Sequence, residues 1–147
     1  MKTGTKVRRV RLSINQDNEF AILGIVSAEP DYKLSLILNR KLKMSLKNVS
    51  PVAVNNKQGD DLLFSRFSDV QVQSEISCDL VSNRSGKNYL IGKLKNIDYL
   101  FIVHNPDKEK DTDSLISDMK KTEGIITVLK IDSKSILREK YLQYLIQ

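Results

Sequence analysis

The run Phe20–Val26, FAILGIV, contains no polar side chain. Its length constrains the chain more than any other feature. A membrane-spanning helix needs about 20 apolar residues, so seven residues do not cross a bilayer. Seven residues suit a strand, and apolar side chains at every position mean a strand covered on both faces. A chain holding such a strand needs a sheet with material packed on either side of it.

Other segments supply candidates for that sheet. Val10, Leu12 and Ile14 alternate with Arg9, Arg11 and Ser13, the period of a half-buried strand. The turn residues Asn15 to Asn18 separate it from the apolar run. Val52 to Val54 predicts a short strand, demoted at its start by Pro51. A turn with Gly59 leads to a strand over Leu62 to Ser74. Ile76 to Ser82 and Tyr89 to Ile91 flank Asn83-Arg84-Ser85-Gly86-Lys87-Asn88 and predict a hairpin. Ile97 to Val103 reads as a central strand ended by Asn105-Pro106, and Ile125 to Ile131 as a further strand.

Helical spacing occurs in three places. After Pro30-Asp31, residues Leu34, Ile37, Leu38 and Leu42 share one face, with Asp31 as the expected N-cap. Thr112 is expected to cap a helix carrying Leu115, Ile116 and Met119, which Gly124 ends. Asp132 or Ser133 is expected to cap a last helix with Leu137, Tyr141, Tyr144 and Leu145 on one stripe. The expectation is a single α+β domain over residues 1–147. Its mixed, mostly antiparallel sheet carries about three helices and ends strand–helix–strand–helix, with a right-handed βαβ crossover.

The one cysteine, Cys78, excludes an intrachain disulfide and fits a reducing cytoplasm. The basic N-terminal segment has no apolar h-region, so no secretory signal and no membrane partner are expected. The formal charge is +6, distributed unevenly: residues 1–73 carry 12 basic and 7 acidic side chains, whereas residues 74–147 carry 12 and 11. Arg8, Arg9 and Arg11, with Lys33, Arg40 and Lys43 on the first helix, are the candidate polyanion-binding residues. Solvated charge is the plainer account of such a skew.

Most catalytic chemistry is excluded by residue type. Ser85-Gly86-Lys87 has Val81 where a phosphate loop needs glycine and Asn88 where it needs Ser or Thr. One His and one Cys cannot assemble a His/Cys zinc set. Asp107, Asp111 and Asp113 lack the glycine and closing glutamate of a calcium loop. Two residues stay of interest: His104 at the end of the central strand, and Asp98, a carboxylate interrupting that strand. Asp98 reads either as an acid–base group or as an acceptor of backbone N–H bonds. No cofactor is expected.

At Tyr89-Leu90-Ile91 and Ile97-Asp98-Tyr99-Leu100 the chain resembles the IPExxVDY family, small bacterial proteins typical of Bacteroidetes. Asp31-Tyr32-Lys33-Leu34, running to Leu38-Asn39, and Leu80-Val81-Ser82-Asn83 are similar as well, so the resemblance covers most of the chain. Gly92 and Lys93 stand where the naming motif has Pro and Glu. The resemblance implies lineage and a cytoplasmic setting, marks Ile91, Ile97, Asp98 and Tyr99 as signature residues, and brings no catalytic residue with it. The functional expectation is a non-catalytic binding or adaptor domain acting through protein contacts, self-association among them. The alternatives are a nucleic-acid-associated protein using the basic N-terminal surface and a small enzyme with a site near Asp98 and His104.

Overall fold

A computed structural model of the chain describes residues 20–55, 59, 61–70, 77–104 and 109–132. The apolar run becomes β1 (Phe20–Val26), followed by α1 (Asp31–Leu42), β2 (Lys47–Asn55), β3 (Asp61–Val70) and β4 (Ser77–Ser82). A small ribbon, β5 (Arg84–Ser85) with β6 (Asn88–Tyr89), precedes β7 (Tyr99–His104), α2 (Glu109–Lys120) and β8 (Thr127–Ile131). Six strands form one sheet in the order β2-β3-β4-β7-β1-β8.

β1 lies between β7 and β8, which explains its composition. Phe20 and Ile22 join one buried cluster with Val54, Phe64, Leu100 and Ile102. Leu23 and Ile25, pointing the other way, join a second cluster with Phe67, Leu80, Phe101 and Val103. α1 and α2 cover this second face through Leu34, Leu38 and Met119. On the first face Leu90, Ile91 and Ile97 reach in from the segment between β6 and β7.

Several expectations are corrected. Every described pairing is antiparallel, so the sheet is not mixed. β7 and β8 are parallel to each other because each runs antiparallel to β1, which separates them. The strand–helix–strand unit is therefore split by an inserted strand rather than formed from neighbours. Two helices occur among the described residues; the third expected helix, from residue 133 onward, lies outside them, as does the strand expected over Val10 to Ile14.

Smaller differences have local causes. Pro51 sits inside β2, not at its start. It is tolerated because β2 is an edge strand and its register with β3 shifts between Val49 and Val52. Pro30 takes the N-cap position of α1. Asp31 is the first helical residue, and its Oδ1 accepts the Tyr32 N–H at 2.7 Å. A carboxylate there also favours the positive end of the helix. Thr112 lies within α2, buried, rather than at its cap. Gly124 has a φ of 99°, but it serves the turn into β8, since α2 already ends at Lys120. Of the strand expected over Tyr89 to Ile91 only Tyr89 is extended, joined by Asn88 from the expected loop in β6. It pairs with Arg84–Ser85, not with β4.

Candidate functional site

On α1 the charged side chains form a stripe beside the buried one. Lys33, Ile37 and Lys41 recur every four residues, with Arg40 adjacent. They line one wall of a groove of about 630 Å³, which also takes Glu29 from the β1–α1 turn and Thr122, Glu123 and Gly124 from the α2–β8 turn. Of the expected basic residues the structure thus brings Lys33 and Arg40 together. Lys43 does not line the groove, and Arg8, Arg9 and Arg11 lie outside the described residues.

Inside the groove charge is partly settled. Lys33 Nζ lies 2.9 Å from Glu29 Oε2. Its hydrogen bond to Glu29 and that carboxylate's charge hold the ammonium above its ordinary value. Arg40, Lys41 and Glu123 form no ion pair with any described residue. Among the described residues, two cations and one carboxylate around the aliphatic Ile37 are therefore without an ion-pair partner. Gly124 permits this closeness: a Cβ there would meet Ile37 Cδ1 at 3.2 Å, and its positive φ favours glycine independently.

The position of Glu29 is fixed from the far side of β1. Asp98 Oδ2 accepts the Ser27 N–H at 2.9 Å, and Asp98 Oδ1 pairs with Arg84 Nη2 at 2.9 Å. Tyr99 Oη donates to the Glu29 carbonyl at 2.6 Å. Ser27 Oγ donates to the Gly124 carbonyl at 2.6 Å and accepts the Glu29 N–H at 3.1 Å. Burial, with the carboxylates of Asp31, Asp98 and Glu29, pushes the Tyr99 phenol up to about 12, so it stays a donor. Ser27 thus ties together the two turns that border the groove, and Asp98 and Tyr99 hold the first of them. Ile91 and Ile97, the other signature residues, are buried on the opposite cluster.

Asp98 and His104 do not meet. Asp98 immediately precedes β7 and His104 ends it, six positions apart, which is roughly 20 Å along an extended strand. His104 Nε2 instead lies 2.8 Å from Asp79 Oδ2, while Ser68 Oγ donates to Asp79 Oδ1. Burial pushes the Asp79 carboxyl up. The hydrogen bonds from His104 and Ser68, with the charges of His104 and Arg66, outweigh that and hold it below its ordinary value. The carboxylate takes both bonds, so Ser68 and His104 do not form a nucleophile–base pair with each other. Cys78 packs in the other cluster, with Val103. Burial, then the Asp69 and Asp79 carboxylates, push its thiol up to about 12, which leaves no thiolate for a Cys–His dyad.

Among the described residues no group of three or more His, Cys, Asp or Glu is arranged to hold a metal ion. None of their helices is long and apolar enough to cross a membrane. Glu29, Thr122 and Glu123 were not marked by the sequence, and Gly124 was expected only as a helix end. The only signal was the Lys33-Ile37-Lys41 spacing, which marks a stripe and not what faces it. Comparison with protein-family models, with curated proteins and with solved structures returned no match.

Proposed function

We propose that this chain is a divergent IPExxVDY-type protein that works in the cytoplasm as a non-catalytic binding module, with the outer surface of α1 as its protein-contact face. One observation carries the reading. Tyr32 and Leu36, four residues apart and 63% and 60% exposed, stand beside a groove whose Arg40, Lys41 and Glu123 form no ion pair with any described residue. Aromatic and aliphatic anchors next to Arg are the usual composition of a protein-contact surface. The mixed signs weigh against nucleic acid, whose phosphates would meet Glu29 and Glu123 alongside the cations.

Photocrosslinking in cells tests this. A benzophenone amino acid at Tyr32 or Leu36 should give discrete protein adducts that the same group at Leu63 does not. Leu63 is comparably exposed at 54%, but lies on β3. Adducts equal at all three positions, or absent from Tyr32 and Leu36, would refute the assignment. Adducts to nucleic acid would replace it with the nucleic-acid reading.

A further inference from the structure

We infer that the groove between α1 and the α2–β8 turn takes an acidic, partly aliphatic peptide segment of the partner, its carboxylate on Arg40 and Lys41 and its aliphatic side chain on Ile37. The inference rests on the binding-module reading and names the partner's chemistry. Glu29 already neutralises Lys33 at 2.9 Å, which removes that cation from competition. Arg40 and Lys41 have no ion-pair partner among the described residues. They flank Ile37 from the next turn of α1, three and four positions on, so one carboxylate reaches both while its neighbour rests on the isoleucine.

The chemistry of each group narrows the ligand. A guanidinium fork binds a carboxylate through parallel N–H donors, and a nearby ammonium adds charge without geometry. Glu123, across the groove and without an ion-pair partner among the described residues, accepts backbone N–H groups of an extended segment and repels a second closely spaced anion. A ladder of phosphates therefore fits poorly, whereas a segment of spaced carboxylates fits. The groove, about 630 Å³, accommodates a few residues. The net charge of +6 favours an acidic partner over a basic one.

Fluorescence anisotropy on the full chain tests the inference. The probes are a fluorescein-labelled hexapeptide alternating leucine and glutamate, the same peptide with lysine for glutamate, and a labelled single-stranded DNA. The acidic peptide should bind, and Arg40→Glu or Lys41→Glu should each weaken it by about tenfold or more. Lys43→Glu, which changes the same charge outside the groove, should change affinity by less than about twofold. Thermal melts of each variant show whether it is folded, and the two groove variants serve as independent checks. Four results would overturn the inference: no binding of the acidic peptide at millimolar concentration, tighter binding of the lysine peptide, an equal loss in Lys43→Glu, or DNA binding that depends on Arg40. If the acidic peptide fails while Tyr32 and Leu36 still crosslink to protein, only the ligand chemistry falls. If both fail, the binding-module reading falls as well.

Discussion

Asn83 Oδ1 accepts the N–H of Ile91 at 2.8 Å, inside the excursion that joins β4 to β7. The same side chain donates through Nδ2 to the carbonyls of Leu94 and Ile97, at 2.8 and 3.0 Å. A fully buried amide thereby satisfies the backbone of a segment with almost no regular structure. Asn83→Ala should cost about 2–4 kcal/mol, three neutral hydrogen bonds with their acceptors and donor left buried. Urea denaturation monitored by circular dichroism checks this; a loss under about 1 kcal/mol would mean that water replaces the amide.

Lys43 closes α1 in the left-handed conformation, with a φ of 54°. A side chain at that position carries a steric cost that glycine avoids. Lys43→Gly should therefore stabilise the chain by about 0.5–1 kcal/mol and raise Tm by roughly 2–4 °C, as scanning calorimetry would show. Lys43→Ala, which keeps the Cβ, should not.

The Asp79 carboxyl lies below its ordinary value of 3.8, held there against burial by His104 and Ser68. A group with a lowered folded value contributes stability above its unfolded value and loses it as pH falls through the folded one. Asp79→Asn should therefore melt lower than the parent at pH 7, and the gap should narrow as the pH drops through the carboxyl range. Melting curves from pH 7 downward check this; a gap that stays constant would remove the carboxylate from the account.

Cys78 is buried, with its thiol pushed up to about 12. Thiolate is the reactive form, so a disulfide reagent at pH 8 should label the folded chain far more slowly than the urea-unfolded chain. Labelling at comparable rates in both conditions would contradict the packing of β4.

Tyr99→Phe removes the hydrogen bond to the Glu29 carbonyl while keeping the ring, and should cost about 1 kcal/mol. Because the lost bond anchors the turn that carries Glu29, binding at the groove should weaken with it, measured by the same anisotropy. A stability loss without any change in binding would make Tyr99 purely structural.

Some of this was legible in the chain. Phe20–Val26 announces a strand buried on both faces, because no polar residue marks a wet side. The spacing of Leu34 and Leu38 announces α1. The first half of β2 was not legible: Lys47 to Pro51 are largely exposed on the sheet edge, where strand formation leaves little apolar alternation. The shape at Lys43 was invisible too, since nothing about a lysine at a helix end specifies its φ. The groove was half legible. One wall is a helical stripe, but Thr122, Glu123 and Gly124 come from far along the sequence, and Glu29 is placed by Asp98 and Tyr99 through contacts that periodicity does not encode.

The place of β1 between β7 and β8 has a consequence for how the protein is made. β1 emerges from the ribosome early, with both edges unpaired and no charged residue within it. Its two neighbours are, among the described residues, the last strands of the sheet to be synthesised. Its long-range pairing therefore waits for nearly the whole sheet-forming sequence, and during that interval the nascent chain displays a short, uncharged, aggregation-prone strand. Efficient production depends on protecting that one segment until the C-terminal strands arrive, and slower elongation past β4 lengthens its exposure.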